Sequence, residues 1–474
     1  MAIAAWGTYL PTHRLDRRVI GAALGAPAGS GTRSVAGYDE DTTSMGVEAA
    51  RNALAALADL PPDLAPRRVL FATANPAYLD KTNATAIHAA LGLGADVAAY
   101  DVGGAVRSGI GAMRLGGDAS VPTLVVLSDV RTGLPGSVDE RDGGDGAVAF
   151  VMGSTELLGD AAQFRVLGSG SATLELLDRW RLPGERSSHV WEERFGEHAY
   201  VPLVQQAFAD ALASAGDVKA GELDHVIVTG VHARAARVAA RAIGVEPDVI
   251  VDDLATTVGN TGTAHVGMLI ARVLETAEPG QRVAVVSIAD GCDVAVAQTT
   301  DALRRVAPRR LLSDQLPGTR ALTSYQDFLT WRGFLDREPP RRPDPKAPAA
   351  PPALRNEDWK FGFTGSECRA CGERHLPPAR VCARCHAVDE MVPVRMADTP
   401  ATVTTFTVDR LTYSPSPPMV AAVIDFDGGG RFRCEMTDVD AETVAIGDRV
   451  EMTFRRIATS EHVHNYFWKA RPLT

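Results

Sequence analysis

Short continuous apolar runs alternate with longer stretches in which apolar residues recur every three or four positions, and this alternation organises roughly the first 300 residues. The first half predicts a strand at Ile3–Trp6, a helix in MGVEAARNALAAL, the apolar strand VLFATAN and a helix in ATAIHAALGLG. The strand VAAYDVG, a Gly/Ser-rich helix start and the strand TLVVLSDV follow, and a hairpin-like pair, GAVAFVMG and AAQFRVLGSG, closes the half. The second half repeats the grammar: helix VPLVQQAFADALASAG, strand HVIVTGV, helix ARAARVAARAIG, a loop, helix HVGMLIARVLETA and strand RVAVVSIADG. Buried strands alternating with amphipathic helices imply mostly parallel sheets covered on both faces. Two such halves in tandem predict an internally duplicated α/β fold.

The pattern then changes. YQDFLTWRGFL reads as a further helix, and Glu338–Pro352 (EPPRRPDPKAPAAPP) reads as an extended linker stiffened by proline. Beyond it, ATVTTFTVDRL, MVAAVIDFDGG, RFRCEMTDV and DRVEMTFRRI are short strands without helical period. They predict a small β-barrel, best matched by an OB-fold.

Composition narrows the class. A chain of 474 residues should form two or three domains, and 45% hydrophobic with 23% charged residues is ordinary globular usage. No apolar run reaches the length of a membrane span, and the N-terminus lacks the basic start and cleavage site of a signal peptide. The expected location is cytoplasmic. A net charge of −11 argues against general nucleic-acid binding, and the barrel segments lack interleaved basic and aromatic residues.

Cysteine usage is the sharpest local signal. Four of the six cysteines form two knuckles, Cys368-x2-Cys371 and Cys382-x2-Cys385, with ten residues between them. This spacing suits one tetrahedral Zn²⁺, and four thiolates close the shell, which is the pattern of a structural rather than a catalytic site. His386 follows the last cysteine as a bystander. Only Cys292 and Cys434 remain, and both are expected to be buried structural thiols, Cys434 in a barrel strand.

The stretches YLPTHRL, YDEDTTSMGVEAARNAL, SDVR…GDGAVAFVMG, LDRWRLPGE…RFGEHAY, GVHARAARVAARAIG and VGNTGTAHVGMLIARVLE occur in one order. Together they resemble 3-hydroxy-3-methylglutaryl-CoA synthase, most closely its archaeal form, within the thiolase superfamily. The resemblance implies a duplicated thiolase fold (layered αβαβα). The C-terminal part, with HLPPARVC between its knuckles, resembles the zinc ribbon plus OB-fold that accompanies thiolase-like proteins as a separate acyl-CoA-handling subunit. The implied segments are 1–158 and 159–300 (the two thiolase-like halves), 301–356 (helix and Pro-rich linker), 357–395 (zinc ribbon) and 396–474 (OB-fold). An acyl-CoA substrate and a homodimer also follow from the resemblance.

The resemblance also assigns a site. The family's nucleophilic cysteine aligns with Val106, whose isopropyl group can carry no acyl intermediate. Its acid/base glutamate aligns with Ala74 or Asn75, and neither can shuttle protons as a carboxylate does. His232 and Asn260 match the family's histidine and asparagine, which bind the thioester oxygen, so an enolate or oxyanion site is expected to persist. The competing readings are a helix-start histidine satisfied by the backbone and a turn asparagine in V-G-N-T-G. Tyr78, Asp290, Cys292 and Asp293 are further candidates, with core packing or loop capping as the alternatives. The expected activity is carbon–carbon cleavage, a retro-aldol reaction on a 3-hydroxyacyl-CoA. The alternatives are an acyltransferase or condensing enzyme of the synthase type, and a non-catalytic acyl-CoA scaffold.

Overall fold

The computed structural model describes residues 1–27, 29–191, 193–322, 324–341 and 345–473, so residues 342–344 of the predicted linker lie outside it. The chain clusters into two compact units. Met1–Ala36, Glu48–Thr85 and Ala95–Tyr325 form the first; Gly37–Val47, Ala86–Gly94 and Gln326–Thr474 form the second.

The first unit is built on a nine-stranded sheet whose strands are β1 (Ala2–Tyr9), β2 (Arg68–Thr73), β3 (Ala98–Gly103), β4 (Thr123–Asp129), β5 (Gly146–Gly153), β6 (Phe164–Thr173), β7 (His225–Gly230), β8 (Arg282–Ile288) and β9 (Gly291–Thr299). Their spatial order is β7-β8-β9-β6-β1-β5-β4-β2-β3. β2 is parallel to β3 and β4, and β7 to β8, but the ladder from β4 through β5, β1, β6 and β9 to β8 is antiparallel. The mostly parallel expectation therefore fails at the centre. β1 and β5 are buried along their whole length, so their text is a continuous apolar run and reads like a parallel strand.

The predicted hairpin of GAVAFVMG with AAQFRVLGSG is also corrected. β1 lies between them, pairing Trp6 with Phe150 and Ile3 with Phe164. Hydrophobic pattern specifies which segments are strands but not which are neighbours.

Four helices matter for the site: α1 (Ser108–Gly117), α2 (Glu193–Ser214), α3 (Ala233–Ala242) and α4 (His265–Thr276). α2 packs directly on β6, where a Cβ on Gly170 would lie 2.1 Å from the Ala207 carbonyl oxygen. Glycine is thus required in FRVLGSG by backbone approach. The sequence predicts the start of α2 at Val201, but the helix begins at Glu193 and carries Pro202 inside. A proline interrupts the hydrogen-bond ladder, which made it read as a boundary.

Residues beyond 300 return to the N-terminus. Arg320–Leu322 pairs in parallel with residues 13–15, and the Arg14 guanidinium donates to the carbonyls of Gln315 (2.7 Å) and Pro11 (2.6 Å). The Tyr325 hydroxyl donates to the buried Glu140 carboxylate at 3.0 Å. The first unit accordingly extends to Tyr325, past the expected edge at 300.

In the second unit, Arg374–His375, Thr364–Cys368 and Met391–Arg395 form a small antiparallel sheet. Ala401–Asp409, Met419–Phe426, Arg431–Met436, Arg449–Ser460 and Val463–Pro472 close a five-stranded barrel, the OB-fold architecture. Its core is aromatic: Phe363 meets Phe432 at a centroid distance of 5.2 Å and Trp468 at 6.0 Å. The end of the predicted linker is helical over Ala350–Arg355, because prolines are compatible with a first helical turn.

Residues 37–47 contribute a buried ionic cluster to this second unit. Lys469 Nζ lies 2.9 Å from both Asp39 and Glu435 carboxylate oxygens, and Arg455 pairs with Glu40 and Asp438. The Tyr466 hydroxyl donates to Asp41 at 2.6 Å. The acidic run YDED thus supplies counter-charges to cations near the end of the chain.

Candidate active site

A cavity of about 480 Å³ opens where two parallel pairs of strands of the first unit, β2 with β3 and β7 with β8, end. Ala74 and Asn75 follow β2, Gly104, Ala105 and Val106 follow β3, Val231 follows β7, and Ala289 and Asp290 follow β8; all line it. Carboxyl ends of strands are where open α/β sheets place ligands, because the loops there diverge around a crevice. Val106, Ala74 and Asn75 therefore line one cavity. Among the described residues, none lining the cavity is a cysteine.

Asp178 and Tyr200 complete the polar side of this cavity. The Tyr200 hydroxyl donates to Asp178 Oδ2 at 2.8 Å, and His232 Nε2 lies 2.8 Å from the same oxygen. Burial works against ionisation of Asp178, but its contacts with His232 and Tyr200 outweigh this and hold the carboxyl below the usual range. Burial, then the hydrogen bond to Asp178, pushes the Tyr200 phenol well above 10. His232 stands at the N-terminus of α3 and its side chain caps nothing there. Its Nε2 stands against the Asp178 carboxylate instead.

Asp290 sits in the tight turn from β8 to β9 with φ of 45°, a left-handed conformation that asparagine and aspartate tolerate best among L-residues. Arg107 fixes this turn: its Nη1 donates to the Asp290 carbonyl oxygen at 2.6 Å and its Nε to Asp293 at 2.8 Å. Asp293 also accepts from Ser171 at 2.6 Å. It is tied up in this cluster and does not line the cavity. Cys292 is fully buried in β9, and burial pushes its thiol up to about 12, which disfavours the nucleophilic thiolate. Tyr78 lies beside the lining residues Pro76 and Leu79, and its amide donates to Asn83.

Asn260 faces a second cavity, of about 470 Å³, also within the first unit. Its side-chain nitrogen donates to the Gly230 carbonyl at 2.9 Å and its side-chain oxygen accepts from Gly262 N–H at 2.9 Å. One amide hydrogen remains for a ligand. Arg17, Arg141, Arg234 and Arg237 line this cavity, and Arg131 and Val231 line both cavities. His232 itself lines neither cavity; its neighbour Val231 lines both, whereas Asn260 lines the second.

The four knuckle cysteines come together in the second unit. Cys368 and Cys385 sulfurs are 3.6 Å apart, as are those of Cys371 and Cys382, and all four lie within 4.8 Å of one another. Tetrahedral Zn–S bonds of about 2.3 Å require sulfurs about 3.8 Å apart, so the arrangement fits a metal ion. His386 is not part of the cluster. Cys434 is buried in the barrel and its thiol is pushed up to about 12 by burial.

Sequence reasoning did not single out Asp178, Tyr200 or Arg107. Asp178 and Tyr200 stand in the stretches LDRWRLPGE and RFGEHAY, and Arg107 directly follows Val106, but only the fold brings the first two to the cavity and the third to the Asp290 turn. Among the described residues, no helix is long and apolar enough to cross a membrane.

Comparison with known proteins agrees with this architecture. Residues 394–455 match the family model described as "ChsH2, C-terminal OB-fold domain", and residues 212–299 match "3-Oxoacyl-[acyl-carrier-protein (ACP)] synthase III C terminal". The structure titled "MvaS in complex with 3-hydroxy-3-methylglutaryl coenzyme A" superimposes with a TM-score of 0.57 at 21% identity, covering 73% of this chain and 94% of that one. 3-Oxoacyl-(acyl carrier protein) synthase III from Pseudomonas aeruginosa gives 0.54 at 20% identity, covering 65% and 99%. In sequence, the hydroxymethylglutaryl-CoA synthase of Pyrococcus furiosus is 27% identical over 323 residues, 65% of this chain and 90% of that protein. That of Aeropyrum pernix is 32% identical over 320 residues, 65% of this chain and 87% of that protein. With that identity across most of a synthase's length, and with the synthase fold beneath it, the chain belongs to the hydroxymethylglutaryl-CoA synthase family, extended by a C-terminal OB-fold domain.

Proposed function

We propose that this protein is an acyl-CoA enzyme of the condensing type, which joins the α-carbon of an acyl-CoA to a carbonyl carbon by an aldol reaction without an acyl-cysteine. The observation that carries the reading is Val106 in the cavity that holds Asp178, Tyr200 and Asp290. Among the described residues, proton-handling groups line this cavity and no thiol does. The synthase relatives support the condensing direction, and cleavage of a 3-hydroxyacyl-CoA is the same reaction reversed through the same enolate. His232 and the remaining amide hydrogen of Asn260 are the proposed donors to the enolate oxygen. The arginines of the second cavity suit the phosphates of CoA.

The test is direct. Incubate the protein with acetyl-CoA and a panel of carbonyl acceptors, acetoacetyl-CoA among them, and follow 3-hydroxyacyl-CoA formation by mass spectrometry, with the reverse reaction in parallel. Inertness in both directions across the panel would sink the reading, and a covalent acyl adduct on the wild-type protein would replace it with acyl transfer.

We further infer that Cys368, Cys371, Cys382 and Cys385 hold a structural Zn²⁺, that the protein is cytoplasmic, and that it is a homodimer. β3 is the edge of the sheet and exposes Tyr100, which supports pairing of two copies along that edge. A monomeric mass in sedimentation equilibrium excludes the dimer.

A further inference from the structure

We propose that Asp290 is the proton-transfer group of the condensing reaction, held toward the cavity by a turn that Arg107 locks. The inference rests on the condensing reading and names the base that reading lacks.

Three carboxylates line the cavity: Asp178, Glu185 and Asp290. Asp178 is committed to Tyr200 and His232, and Glu185 accepts from the Leu182 amide and contacts His189. Among the described residues, the Asp290 carboxylate makes no hydrogen bond. It is half-buried, directly follows β8, and stands in the wall that also carries Val106.

The turn has the construction of a positioning device. Asp290 at φ 45° is followed by Gly291 at φ 128°, where a Cβ would lie 2.2 Å from the Ala172 carbonyl oxygen. A non-glycine residue in that region persists only where its surroundings over-determine it. Here Arg107 spans the turn, bonding the Asp290 carbonyl, the Asp293 carboxylate and the Thr173 hydroxyl (3.0 Å). The residue that fixes the turn thus adjoins Val106. Burial, then the charge of Asp178, raises the Asp290 carboxyl above its usual range, as suits a base working nearer neutrality.

The step balances without a co-reactant. The Asp290 carboxylate takes a proton from the α-carbon of the acyl-CoA, and the C–H pair becomes the enolate π bond while the carbonyl oxygen takes the negative charge. The enolate carbon then bonds to the acceptor carbonyl carbon, whose π pair moves to its oxygen, and that alkoxide recovers the proton from Asp290. The product is a 3-hydroxyacyl-CoA; no thioester is broken and nothing is oxidised.

The experiment compares wild type, Asp290→Asn and Asp290→Glu for exchange of the acetyl-CoA methyl protons in D₂O and for turnover against pH. Wild type should exchange, with an acid limb above the ordinary carboxylate range of about 4. Asp290→Asn should lose at least about 100-fold in both readings and lose that limb, with KM changed little, and Asp290→Glu should recover part of the rate. A wild type active in exchange and turnover, with Asp290→Asn equally active or keeping the acid limb, overturns the assignment alone. A wild type inert in both overturns the condensing reading and this inference together. Equal thermal unfolding midpoints of the three proteins verify that a lost rate is not a lost fold.

Discussion

His232 Nε2 lies 2.8 Å from Asp178 Oδ2, and the same carboxylate oxygen accepts the Tyr200 hydroxyl. One buried acid of the cavity lining thus contacts both an imidazole and a phenol. His232→Ala should lower turnover by about 100-fold or more while changing CoA affinity only a few-fold, because the lost interaction is with the enolate rather than with the nucleotide. Asp178→Asn should resemble it, since His232 loses its orienting charge. Steady-state kinetics beside calorimetric CoA binding separate these effects; a parallel loss of affinity and rate contradicts the assignment.

Val106 precedes α1, whose N-terminal region has the positive dipole end that lowers a thiol pKa. Val106→Cys should therefore gain a covalent acyl adduct from acetyl-CoA that wild type does not form. Intact-mass measurement before and after hydroxylamine treatment reads this directly. If the variant thiol reacts with small alkylating reagents yet never with acetyl-CoA, Val106 does not face the thioester.

The sulfur geometry of Cys368, Cys371, Cys382 and Cys385 predicts one zinc per chain. Metal analysis of the purified protein should give that ratio. Cys371→Ser should reduce it, and chelation should lower the unfolding temperature of the second unit. Full stability and a folded ribbon in metal-free protein would exclude a structural ion.

Lys469 and Asp39, both almost completely buried, form a pair whose halves depend on each other. Lys469→Ala should cost about 3–5 kcal/mol by leaving carboxylates buried without a cation. Replacing Lys469 by Met and Asp39 by Asn together should cost less than the sum of the single changes.

Acidity acts on the same pair. Burial opposes ionisation of Asp39, but Lys469 and Arg455 outweigh it and bring its carboxyl down to about 2. A depressed acid stabilises the fold above its unfolded value of about 3.9 and loses that contribution as pH falls toward 2. Denaturant titrations should show about 2 kcal/mol lost across this window in wild type, and less in Asp39→Asn.

The sequence made the strands, the cysteine knuckles and the barrel legible because each is a local pattern: apolar runs, paired C-x-x-C spacing, short strands between turns. It could not place β1 between β5 and β6, since pairing partners are set by the whole sheet. It read the Pro202 helix as starting too late because proline mimics a boundary from inside. At the site, His232 and Val106 were reachable through the family's motifs. Asp178, Tyr200 and Arg107 were not, because their roles arise from a carboxylate, a phenol and a guanidinium brought together from distant positions.

Finally, Asp39 and Glu40 leave the ribosome long before Lys469 and Arg455 exist, yet they share one buried cluster with them. The second unit therefore cannot complete this cluster before the chain has been synthesised through Lys469. Until then its acidic segment lacks the cation that offsets burial, and stays hydrated. A stop ahead of Arg455 would spare the whole synthase-like unit and still strand these acids without the cations that admit them to the interior.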